Sequence, residues 1–113
     1  MTTIWKYKFE PDFGFQEYEM PKGSVILSCG QDPAGNMSFW ARVDDQAPME
    51  NHLIACVGTG WEIDSVLEAK GYCACFIGTV VRGPYVWHLF DLGARLDSTD
   101  FKPHPETEGG ARP

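Results

Sequence analysis

Apolar residues alternate along much of this chain. In Thr3–Phe9, Trp5, Tyr7 and Phe9 fall on one side and Lys6 and Lys8 on the other, and a period of two marks a β-strand with one wet face. The period returns in Phe15–Met20, where Phe15, Glu17 and Glu19 oppose Gln16, Tyr18 and Met20. It returns again in Met37–Val43, where Met37, Phe39, Ala41 and Val43 oppose Trp40 and Arg42. Pro21-Lys22-Gly23, Asp32-Pro33-Ala34-Gly35-Asn36 and Arg82-Gly83-Pro84 punctuate these runs. Each is a turn signal, because Pro presets φ and Gly tolerates positive φ. Such a pattern constrains the chain to short strands joined by tight connections.

The remaining segments fill in this plan. Val25-Ile26-Leu27 is a continuous apolar run, which predicts a strand buried on both faces and paired in a hairpin with Met37–Val43. Asp44–Asn51 is polar, contains Pro48 and is expected to be a loop, with His52–Val57 a short strand after it. Tyr72–Val81 and Tyr85–Leu92 predict a closing hairpin, apolar enough to lie centrally in the sheet. Thr59-Gly60-Trp61-Glu62 matches a capping box. Behind it Ile63, Val66, Leu67 and Lys70 fall at helical spacing, with Gly71 placed as the C′ residue. The fold class expected is therefore α+β: an antiparallel sheet of about six or seven strands carrying one amphipathic helix over about residues 60–70. Residues 1–95 make one domain, and residues 96–113 are expected to be a flexible C-terminal tail anchored only by Phe101.

At 113 residues with 43% hydrophobic content, one domain can bury a real core. Aromatics reach 13%, including four Trp and seven Phe, more than so small a core holds. The surplus points to a pocket or a subunit interface, and hence to a homo-oligomer. Sixteen acidic against nine basic residues give a charge of −7, which argues against a long nucleic-acid partner. The start lacks an apolar signal stretch and no run approaches a membrane span. The expected location is cytoplasmic, with Cys29, Cys56, Cys73 and Cys75 as reduced thiols.

Several residue sets invite chemical readings. Cys73 and Cys75 would share one face of a strand, and His52 and His88 could complete a zinc site. Same-face strand neighbours lie about 6.5–7 Å apart, too far for two sulfurs to meet easily on one ion, so small strand residues are the plainer account and no metal is expected. A Cys–His nucleophile needs one thiol singled out beside one His, and nothing selects one; His88, between Trp87 and Leu89, reads as a hydrogen-bonded histidine of the core or an interface. Asp44 and Asp45, with Glu50, read as solvated loop acids. No catalytic residue and no cofactor is expected, and the chain is read as non-enzymatic. Gly58-Thr59-Gly60-Trp61 is more informative. A glycine-bounded helix start exposes amide donors suited to a phosphate or another anion. Trp61 could stack on a ring, and Arg42 and Arg82 could add charge-assisted contacts. Glu62 and Asp64 oppose an anion there, and a simple capped turn explains the same residues.

Five segments carry a resemblance to a known family. They are Thr3-Ile4-Trp5-Lys6-Tyr7, Glu19-Met20-Pro21-Lys22-Gly23-Ser24-Val25-Ile26-Leu27-Ser28, Phe39-Trp40-Ala41-Arg42-Val43-Asp44, the Gly58-Thr59-Gly60 step, and Phe76-Ile77-Gly78-Thr79 through Val86-Trp87-His88-Leu89-Phe90. In that order the chain resembles, over about residues 3–92, a family of small proteins of unknown function common in tailed bacteriophages and prophages. The resemblance implies a phage origin and a compact sheet-based domain, and it implies no reaction. The expectation drawn from it is a phage accessory protein that sequesters a host component in the host cytoplasm, either a defence-signalling nucleotide or a host defence protein. The alternative is a virion structural or assembly protein acting through an oligomeric aromatic interface.

Overall fold

A computed structural model describes residues 1–11, 14–68 and 74–94. Seven strands and one short helix follow in the order β1 (Thr2–Lys8), β2 (Phe15–Pro21), β3 (Val25–Gln31), β4 (Met37–Asp44), β5 (Met49–Gly58), α1 (Asp64–Leu67), β6 (Cys75–Arg82) and β7 (Tyr85–Gly93). They form two antiparallel sheets rather than one, in the orders β1-β4-β3 and β2-β5-β7-β6. The architecture is therefore mostly β, and the α+β expectation is corrected. A strand with one apolar face needs a cover. The expected cover was a helix; here each sheet covers the other, and α1 has only four residues.

The alternating residues supply both sides of the core. Trp5, Tyr7, Phe39, Ala41 and Val43 face inward from the three-stranded sheet and meet Tyr18, Met20, Ile54, Cys56, Val80 and Leu89 of the four-stranded one. Three rings lock the sheets together: Tyr7 stacks on Phe39 at 5.1 Å, and Tyr18 from the opposite sheet meets Phe39 edge-on at 5.1 Å. Such pairs add to the burial of their large apolar areas. Polar links between the sheets include Gln31, whose Nε2 donates to the Val81 carbonyl at 2.7 Å and ties β3 to β6, and Tyr18, whose hydroxyl donates to the Lys8 carbonyl at 2.8 Å and ties β2 to β1.

The β3–β4 turn is organised by Asp32. Its Oδ1 accepts from the amides of Ala34 at 3.0 Å and Asn36 at 2.8 Å, and Lys6 Nζ of β1 reaches Oδ2 at 2.9 Å. The carboxyl is held down at a pKa of about 2, first by the Lys6 hydrogen bond and then by the Asn36 amide, against the opposing effect of burial.

Other expectations are revised at the sheet edges. β3 is not buried on both faces but is an edge strand, with Val25 and Leu27 exposed. A bulge between Ile26 and Ser28 takes Leu27 out of register with β4, so the unbroken apolar run does not describe a central strand. Of the closing hairpin, β7 is central but β6 is an edge, with Phe76 and Val81 exposed. β5 begins at Met49 instead of His52, because β2 pairs with it as far as Pro21↔Met49.

The helix is one turn instead of three among the described residues. Gly60 sits at φ +90°, outside helical space, so Thr59 cannot act as its cap. Ile63 is the N-cap residue, and Glu62 Oε1 accepts from the Ser65 amide at 2.8 Å in place of the expected box. The expected contact survives in part: Ile63 and Val66 pack on Ala55, Val57 and Leu92 on the outer face of the four-stranded sheet, whereas Leu67 is exposed. Lys70, Gly71, Tyr72, Cys73 and the tail at 96–113 lie outside the described residues. No helix among the described residues is long and apolar enough to cross a membrane.

Candidate ligand-binding groove

The β6–β7 hairpin closes on Arg82 and Tyr85 as cross-strand partners, with Gly83 at φ +57° followed by Pro84. Positive φ at the first turn position is the requirement of a II′ hairpin turn, which only glycine meets cheaply. From this turn the period of two carries Tyr85 and Trp87 to the same face of β7. Their rings stack with centroids 6.0 Å apart and planes 25° from parallel. Trp61 completes the row, meeting Trp87 edge-on at 5.5 Å. Tyr85 is 62% and Trp61 52% exposed, so two large rings of this row face solvent.

A groove of about 560 Å³ runs beside the row, lined by Tyr85, Trp87, the Arg82–Pro84 turn, and Glu10 and Pro11 from the end of β1. Two glutamines hold its charged walls. The Gln16 carboxamide clamps the Glu10 peptide: its Nε2 donates to the Glu10 carbonyl, and its Oε1 accepts from the Glu10 amide at 3.3 Å. On the other wall, the Gln31 bond to Val81 fixes the backbone next to Arg82. Neither the Glu10 carboxylate nor the Arg82 guanidinium has an ion-pair partner among the described residues.

A smaller hollow of about 180 Å³ lies on the far side of Trp61, between the Gly58–Gly60 turn and His88, Phe90 and Ile63. His88 is fixed from both ends, with Nε2 at 2.7 Å from Thr59 Oγ1 and Nδ1 at 2.9 Å from Thr79 Oγ1. His52 occupies the other side of the sheet. It is buried, its Nε2 lies 2.6 Å from Asp91 Oδ1, and its Nδ1 has no partner among the described residues. The two histidines that could have completed a zinc site with Cys75 are thus each engaged elsewhere, and Cys75 itself is exposed. Among the described residues no group of three or more His, Cys, Asp and Glu side chains could hold a metal ion.

The structure brings most of the expected contact residues to one end of the four-stranded sheet. Gly58, Thr59, Gly60 and Trp61 stand together at the end of β5, and Arg82 joins them through Tyr85 and Trp87. Arg42 is not among them. It is exposed on β4 of the other sheet, paired with Ile4 and Val25. The Gly58–Gly60 turn also works differently from a helix-start anion site. The Thr59 amide donates to the Val86 carbonyl at 3.2 Å and the Trp61 amide to Gly58 at 3.1 Å, so two of its donors are already used. Its glycine instead makes room for a ring. A Cβ on Gly58 would lie 3.0 Å from Trp61 Cε2, so only the bare backbone admits the indole at this position.

Glu10, Tyr85 and Trp87 are functional candidates that sequence reasoning missed. The spacing of Tyr85 and Trp87 was visible, but an apolar strand gives no sign of which face is covered. Glu10 carried no local signal, since its groove partners are more than seventy residues away in the chain.

A family model described as Domain of unknown function (DUF7352) matches residues 1–98. No curated protein and no solved structure matches the chain.

Proposed function

The chain belongs to the DUF7352 family, a domain of unknown function, and from that premise we propose that it is a non-enzymatic binding module that captures a small ligand carrying a planar ring and a negative charge. One observation carries this proposal. Trp61, Trp87 and Tyr85 form a partly exposed row of rings beside Arg82, a cation without an ion-pair partner among the described residues. Aromatic faces stack on bases of any sequence, and guanidinium pairs with phosphate or carboxylate oxygens. A net charge of −7 repels anions at long range, yet screening confines that effect to about 8 Å at physiological salt, so local contacts decide binding. Among the described residues the hydroxyl–imidazole relay, Thr59–His88–Thr79, is backed by an alcohol rather than a carboxylate, which favours a structural histidine over a general base.

In the biological reading that the motif resemblance implies, the module is an accessory protein of tailed phages or prophages. It acts in the host cytoplasm by sequestering a signalling nucleotide of host defence. Native mass spectrometry tests this directly, before and after incubation with a deproteinised extract of phage-infected cells. The expected result is a discrete added mass on wild type and Arg42→Ala, lost on Trp61→Ala and Arg82→Ala. Added mass that survives both of the latter changes would overturn the site. Its absence from wild type would redirect the search to a host protein target.

A second reading, self-association in a virion or assembly role, rests on the outer face of the three-stranded sheet. Ile4 (48% exposed), Val25 (42%) and Leu27 (48%) stand there beside Trp40. The charge states of the same spectrum report the oligomer.

A further inference from the structure

Resting on the proposed ligand-binding role of the groove, we infer that the groove is selective for the N1–H and 2-amino edge of a guanine nucleotide, with Glu10 as the residue that sets the selectivity. The groove holds one acid and one base on separate elements, Glu10 after β1 and Arg82 at the β6–β7 turn, with the Tyr85 and Trp87 rings lining the same space. Its volume of about 560 Å³ is in the range of small-molecule sites. Each charge demands its complement. The guanidinium takes the phosphate, and the rings take the base. The carboxylate, an acceptor only, takes N–H donors.

Among bases this last demand is discriminating. Guanine presents N1–H and the 2-amino group side by side, a pair of donors that matches the two oxygens of a carboxylate. Adenine sets its amino group beside the N1 acceptor, and uracil flanks N3–H with two carbonyls, so both put lone pairs against Glu10. The Gln16 clamp on the Glu10 peptide holds the carboxylate's backbone in place before any ligand arrives, which lowers the ordering cost of binding.

Isothermal titration with GMP, AMP and UMP, and with 6-carboxypterin as a second carrier of the same edge, tests the inference. GMP is expected to bind on the order of 10-fold more tightly than AMP or UMP. Glu10→Gln replaces one acceptor oxygen by a donor and is expected to abolish that preference by weakening GMP and strengthening AMP, with the melting temperature unchanged. Arg82→Ala is expected to weaken all nucleotides alike. Tighter binding of 6-carboxypterin than GMP would move the source of the edge to pterins, against the nucleotide assignment. Equal affinities for GMP and AMP in wild type, or a preference that survives Glu10→Gln, would overturn the selectivity and leave the binding role standing. If none of the four probes binds while an extract still adds mass, the inference falls alone. If neither occurs, the binding role falls with it.

Discussion

Asp32 does three jobs with one carboxylate: it caps two turn amides, accepts Lys6 from another strand, and fixes the link between β3 and β4. Its pKa in the folded chain is lowered from 3.8 to about 2. A carboxyl depressed on folding contributes stability that is complete above its unfolded value and is lost as pH falls through the folded one. Asp32→Asn is therefore expected to melt below wild type at neutral pH, with the gap narrowing between about pH 4 and pH 2; parallel melting curves across pH would contradict this. In the core, Phe39 is fully buried against Tyr7 and Tyr18, and Phe39→Ala should cost about 3–5 kcal/mol in urea denaturation. Gly58→Ala makes the opposite kind of prediction. Its methyl pushes on the Trp61 indole at a half-exposed site, so stability should change by no more than about 1 kcal/mol. Ligand affinity and the near-ultraviolet circular dichroism of the Trp61–Trp87 pair should both fall.

Among the elements, legibility followed exposure to the core. β1, β2 and β4 were readable because each buries one face of large residues, Trp5 and Tyr7, Tyr18 and Met20, Phe39 and Val43, so periodicity and burial coincide. β3 and β6 were misread because an apolar run has no period with which to distinguish a two-sided strand from an edge with a bulge. The helix over-reached for a similar reason: a capping box is a pattern of residue types, whereas Gly60 at positive φ is a fact of backbone. The candidate site was half legible. The Gly58–Trp61 cluster and Arg82 announce themselves as residue types, but only pairing of β5 with β7 and of β6 with β7 brings them together. Arg42, the same residue type on a wet face, went to the other sheet. At this scale the Gln31–Val81 bond is testable. Gln31→Ala should destabilise the chain by about 1 kcal/mol and speed hydrogen exchange at β6 amides while sparing β1. Uniform acceleration would mean that the bond is not a local staple.

For the whole molecule, strand order was beyond reach of local patterns, since several antiparallel topologies share one alternation. The order matters now for time rather than for shape. Only β3 with β4 and β6 with β7 pair neighbours along the chain; β1 must find β4, and β2 must find β5. Sandwiches dominated by such distant pairings fold on the order of milliseconds to seconds, and the two hairpins are the pieces able to form early. The β6–β7 hairpin brings Arg82, Tyr85 and Trp87 into being at once, whereas Glu10 reaches them only when β1 has docked on β4. A refolding chain thus owns a sticky aromatic strip before it owns the proposed binding groove, and the proposed discrimination among ligands would be one of the last properties it acquires.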